Sequence, residues 1–163
     1  MTKTIYTITM PYEFNPTRKG AKYLIGDAYK NHGEFVESVM KHHRGLDYLK
    51  NPNTSFSTGS DIESEKMSVK SDSASLGKVY GYSLTEILTK FFENSVSEKY
   101  AWGYEKNGVM TEYIMTKKEF FEFCQTFGKL GVESKSKKVN EGFKVRFPTT
   151  SVKMLSWFEC QVA

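Results

Sequence analysis

Apolar and polar residues alternate along residues 4–10, with Tyr6, Ile8 and Met10 on one side and Ile5, Thr7 and Thr9 on the other. This predicts an opening strand that Pro11 stops. The period then lengthens. Ala21, Leu24, Ile25, Ala28 and Tyr29 fall at helical spacing to about Lys30, and Asn31-His32-Gly33 marks a break. The helix predicted beyond it has Phe35, Val36, Val39, Met40, His43 and Leu46 as its buried stripe. Glu37, Lys41 and Arg44 fall on its other faces, and Asn51-Pro52-Asn53 ends it.

Farther on, Ser71 to Gly77 is rich in small residues and reads as a close-approaching loop. Leu84, Ile87, Leu88, Phe91 and Phe92 then outline a helix that Ser83-x-x-Glu86 can cap. Residues 99–115 form an aromatic-rich hairpin pattern around Asn107-Gly108, a type I′ turn signal. Thr116-x-x-Glu119 opens another capped helix with Phe120, Phe121, Phe123, Cys124 and Phe127, closed by Gly128 or Gly131. A second ribbon, Val132 to Lys138 with Phe143 to Phe147, is followed by a helix over residues 149–162. The whole predicts one α/β (α+β) domain over residues 1–163. Its central mixed sheet is built from residues 54–70, 99–115 and 132–147, flanked by helices near 17–49, 84–95, 117–128 and 150–162.

Composition narrows the class. A chain of 163 residues, 39% apolar and 15% aromatic, can bury one real core. Its 23 Lys+Arg against 19 Asp+Glu leave a formal charge of +4, which permits a polyanionic partner without requiring one. Cys124 and Cys160 lie in apolar helical patterns without metal-ligand spacing and read as buried thiols of a reducing cytoplasm. No N-terminal apolar core and no long apolar run occurs, so neither a signal peptide nor a membrane span is expected. His42 and His43 are adjacent, point about 100° apart on a helix and cannot share a metal as an i, i+4 pair would.

The candidate chemistry concentrates in Thr58 to Lys70, which holds Asp61, Glu63 and Glu65 and ends on Ser68-Val69-Lys70. With Ser64-Glu65 as a hairpin turn, Asp61 sits opposite Ser68, with Cβ atoms about 5 Å apart, and Lys70 lies farther along the same face. A carboxylate beside a strand-borne lysine can hold a hard divalent ion while the ammonium steadies a nucleophile or a developing charge. Glu63 and Glu65 are rival ligands if the turn falls elsewhere, and solvated residues otherwise. On the second ribbon, alternation puts Lys135, Lys137, Lys144 and Arg146 on one face, a candidate surface for DNA or a protected sheet edge. Trp102, Tyr104 and Tyr113 could stack on bases or fill a core.

Glu34 and Glu37 on the first long helix, Asp61, Ser68-Val69-Lys70 and the helix-borne Glu86 together resemble the PD-(D/E)xK nuclease superfamily. The likeness is to the type II restriction endonuclease branch in which Ser replaces the first acid of the (D/E)xK motif and a Glu from the next helix restores it. Ser60 stands where that pattern carries proline. The resemblance implies a restriction-endonuclease-like fold and Mg²⁺-dependent (or Mn²⁺-dependent) hydrolysis of DNA, with a homodimer cutting both strands. It gives Asp61 and Glu86 to the metal, Lys70 to the attacking water, Ser68 to the motif's variant position, and Glu34 or Glu37 to an additional acid. The alternatives are a non-catalytic nucleic-acid-binding accessory protein using the basic ribbon, and a small protein-binding module.

Overall fold

A computed structural model of the chain describes residues 1–8, 12–13, 24–25, 27–28, 32–46, 60–79, 81–132, 142–149 and 151–162. Asn107 and Gly108 take left-handed φ values of 52° and 78°, the geometry a type I′ turn demands, and join β7 (Lys99–Lys106) to β8 (Val109–Thr116). β1 (Thr2–Thr7) pairs antiparallel with β8, and β5 (Met67–Lys70) pairs parallel with β7, giving a mixed sheet of order β1-β8-β7-β5. A parallel neighbour needs a crossover. Here it runs through β6 (Ser73–Gly77) and α2 (Leu84–Asn94).

The four-stranded sheet is the middle layer. Alternation along β7 sends Tyr100 and Trp102 to a core shared with α2, α3 (Lys117–Phe127) and α4 (Val152–Val162), and Ala101 to a core under α1 (His32–His43). On the first side Tyr100 stacks on Phe120 and Tyr113 on Phe158, at centroid distances of 4.7 and 4.3 Å. Trp102 and Tyr113 are therefore buried core residues and not an exposed stacking platform. On the second side Gly103 lets α1 settle onto the sheet, because a Cβ there would run into Val36 and Met40.

Several expectations change. Leu24–Ile25 (β3) and Asp27–Ala28 (β4) are strands of a small sheet with Tyr12–Glu13 (β2), where apolar spacing predicted a helix. Gly20 and Gly26 weaken helix propensity across that stretch by about 1 kcal/mol each. Ser73–Gly77 is a strand and not a loop, with Ala74 and Leu76 turned into the core. The predicted second ribbon belongs to a separate three-stranded sheet of order β6-β10-β9, made with β9 (Lys129–Val132) and β10 (Phe143–Arg146), and not to the central sheet. Cys160 is exposed, because the buried side of α4 is carried by Met154 and Phe158. His43, predicted in the buried stripe, is instead exposed and stacks on Tyr6 at 3.7 Å.

One buried carboxylate locks α1 to the sheet. Glu112 on β8 is 1% exposed, a state that demands a partner. Arg44, just past α1, meets it with two nitrogens at 2.8 and 3.0 Å, and Tyr6 Oη donates to it at 2.8 Å. Arg44 Nε also reaches Glu65 at 2.7 Å. Burial works against the guanidinium's charge, yet bonding and charge from Glu112, then Glu65, hold its pKa above the ordinary arginine value. Arg44→Met is expected to lower the urea-unfolding free energy by about 3–5 kcal/mol by stranding Glu112, and adding Glu112→Leu to recover most of it. A loss below about 1 kcal/mol for the single change would show the pair to be dispensable.

Candidate functional site

The hairpin at Asp61 is closed by Ile62 and Met67, whose backbones exchange bonds of 3.0 and 3.1 Å. The turn between them has four residues, with a 3-10 turn at Glu63–Glu65 and Lys66 left-handed at φ 49°, in place of the predicted two-residue turn. Its register is the predicted one, so Asp61 lies beside Ser68 and Val69. The Asp61 carboxylate accepts from Val69 N at 2.7 Å, which aims it along β5. Glu65 is bound to Arg44 and Glu63 is exposed.

α1 supplies the second acid. Glu37 is 15% exposed and forms an ion pair with Lys41 Nζ at 2.9 Å. Burial, and then the charge of Asp61, push the Glu37 carboxyl above its ordinary value, while Lys41 and Lys70 partly offset them. Asp61, Lys41 and Lys70 thus all act on the Glu37 carboxyl through charge. Lys70 also acts on Cys124, whose thiol burial pushes up to about 12. His32, at the start of α1, is pushed down by burial and pulled partly back by Asp72, two residues past Lys70.

Serine hydroxyls fix the hairpin from behind. Ser97 Oγ lies 2.9 Å from Ser60 Oγ and 2.7 Å from Ser68 Oγ, all three buried. Ser68 therefore presents no free hydroxyl to a cleft; it ties β5 to the segment that enters β7. Trp102 Nε1 donates to Ser71 O at 2.5 Å and holds the chain just beyond Lys70.

Glu86 has a different setting. Ser83 caps α2 by accepting from Glu86 N at 3.2 Å, and the Glu86 carboxylate accepts from Tyr82 N at 3.0 Å and meets Lys90 at 3.2 Å. The Tyr82 backbone bond, then Lys90, hold its pKa below the ordinary value, with no contribution from Asp61 or Lys70. On α1, Glu37 feels Asp61 and Lys70; Glu34 lies a turn earlier and its carbonyl accepts from Ser38 Oγ at 2.6 Å. Among the described residues no group of three His, Cys, Asp or Glu is placed to hold a metal ion. Two carboxylates still suffice for Mg²⁺, which keeps several waters and takes phosphate oxygens as ligands. Glu37 and Asp61 fit that donor set.

The basic ribbon is redrawn. Lys135 and Lys137 lie outside the described residues. Lys144 and Arg146 sit on β10, the middle strand of its sheet, so they belong to a flat sheet face and not to a two-stranded ribbon. Lys144 faces Gly131 and Ser75; Arg146 faces Lys129 and Ser73. Among the described residues the cations on this face are therefore Lys129, Lys144 and Arg146. Lys129 escaped the sequence pattern because β9 starts right after Gly128, three residues earlier than predicted. Lys41 escaped it because a helical wheel centred on the apolar stripe puts it outside, although the i, i+4 spacing to Glu37 was readable.

Comparison with protein-family models, curated proteins and solved structures finds no match for this chain. Among the described residues, no helix is long and apolar enough to cross a membrane.

A carboxyl held above its ordinary value favours the fold while protonated, and that contribution is lost as pH rises through the raised pKa. With EDTA present, the stability of the parent relative to Glu37→Gln is expected to fall as pH rises from about 4.5 toward neutrality, measured by urea unfolding. A difference independent of pH would mean that Glu37 is not the strained group.

Proposed function

We propose that the protein is a Mg²⁺-dependent DNA endonuclease that hydrolyses phosphodiester bonds at Glu37, Asp61 and Lys70. The observation that supports this reading is the charge coupling of the helix carboxylate Glu37 to the hairpin carboxylate Asp61, which is bonded along β5, and to the strand lysine Lys70. Glu37 and Asp61 hold the ion through oxygen. A divalent ion bound there lowers the pKa of water and offsets charge on the phosphate. Lys70 aims the attacking water and stabilises the charge that builds on the phosphate oxygens as the P–O ester bond breaks. Glu86 serves the N-terminus of α2 in this reading, and Glu37 takes the place of the second acid. Lys129, Lys144 and Arg146 contact phosphates and so position the duplex without reading bases. A duplex break needs two centres, which a homodimer provides.

The cationic sheet face alone supports a second reading, a nucleic-acid-binding protein without catalysis. Plasmid nicking separates the two: cleavage with Mg²⁺ or Mn²⁺ that EDTA abolishes is expected, and salt-dependent DNA binding with no cleavage under any metal would leave only the second. Lys70→Ala is expected to abolish nicking with fold and DNA affinity nearly intact, and nicking at the parental rate would remove Lys70 from the mechanism. Replacing Lys129, Lys144 and Arg146 together by Ala should weaken binding to all sequences alike and reduce the slope of log K against log salt by up to about 2.7, at roughly 0.9 per phosphate contact. An unchanged slope, read from binding titrations, would make the face a solvated sheet surface only.

A further inference from the structure

Two glutamate–lysine pairs at i, i+4 spacing occur on described helices, and they differ in one respect. Glu86 and Lys90 are 40% and 47% exposed, an ordinary surface pair. Glu37 and Lys41 are 15% and 3% exposed. Burying an ammonium costs far more than leaving it in water, and apart from Ser38 the other buried positions of α1 are apolar, so packing alone would favour a hydrophobic residue at position 41. What sets this turn of α1 apart is charge: Glu37 also faces Asp61, whose carboxylate raises the cost of ionising it.

We infer that Lys41 is the resident counter-ion of the acidic pair, holding Glu37 while no metal is bound and competing with a divalent cation for it. The inference rests on the reading of Glu37 and Asp61 as the metal-binding acids. Counted together with Lys41 and Lys70, the four groups are formally neutral without metal. A divalent ion entering alone meets two ammonium groups and an acid already engaged. When the ion arrives with a phosphodiester, the phosphate charge offsets that repulsion. Lys41 thereby makes metal loading depend on DNA, a coupling in which each ligand raises affinity for the other by the same factor.

The test is calorimetric titration of the DNA-free protein with Mn²⁺ at one pH. Lys41→Met should bind Mn²⁺ at least about tenfold more tightly than the parent, because a like charge a few Å from the ion is removed. Lys41→Gln, which keeps a donor for Glu37, should show the same direction and provides the reading if the Met chain does not fold. Lys41→Arg should stay near the parent. Unchanged or weaker Mn²⁺ binding in both neutral variants, with binding lost in Asp61→Asn, would overturn the role of Lys41 while leaving the acids as ligands. Absence of Mn²⁺ binding in the parent and in every Lys41 variant would overturn both.

Discussion

A single guanidinium fixes the relative position of the two candidate acids. Arg44 lies about two helical turns past Glu37, so it anchors the end of the helix that carries one acid. Its Nη atoms grip Glu112 on β8, and its Nε grips Glu65 in the hairpin turn that follows Asp61. Helix, sheet and hairpin are thus clipped together at one point. Because Glu112 is buried, the clip is coupled to folding of the sheet: the carboxylate is tolerated there only with its partners in place. Ligand-holding side chains need positions reproducible to a fraction of an ångström, and α1 and the hairpin would not meet that demand through apolar contacts alone.

The hairpin's other side is held by a different device. Lys66 O accepts from both Glu98 N and Lys99 N, at 2.8 and 3.2 Å, and Ser97 bridges Ser60 and Ser68 through its hydroxyl. These bonds attach a short, acid-rich turn to the entry of β7, whose aromatic residues are locked in the larger core. Small hydroxyl side chains are suited to this place. They satisfy one another in a buried site without the desolvation cost of a charge, and they leave room for strands to approach. The Ser in Ser-Val-Lys therefore has a structural reason to be there, the buried hydroxyl contact with Ser97.

What could be read from the chain were features fixed by neighbours in sequence. The Ser83 and Thr116 caps, the Asn107-Gly108 turn, the alternation across β7 and β8, and the Asp61 register all depend on local geometry, and each is found where expected. The misreadings arise where partners distant in sequence decide. Ser-Ala-Ser-Leu-Gly has little strand propensity and becomes a strand because β10 pairs with it. Leu24 to Ala28 satisfies helical and extended patterns alike, and strand pairing decides. Glu86 offered two functions from one spacing, cap and ligand, and the observed hydrogen bonds are those of a cap. Lys41 falls outside the apolar stripe on a helical wheel, yet it is buried beside Glu37.

The same long-range pairing joins the segment after Lys70 to the cationic sheet face. β6 begins three residues after Lys70, and its first residue, Ser73, faces Arg146 across the sheet. Phe147 N donates to Asp72 O at 2.9 Å, so the strand carrying Lys144 and Arg146 is stitched to the segment leaving the acidic cluster. Trp102, through Ser71 O, fixes that segment to the central sheet. A phosphate chain following Arg146 and Lys129 would therefore run along a rigid surface that starts at the end of β5, not along an independently moving arm. On the proposed function, electrostatic attraction would do two jobs at once, since cations that gather a polyanion would also bring its charge toward the acids.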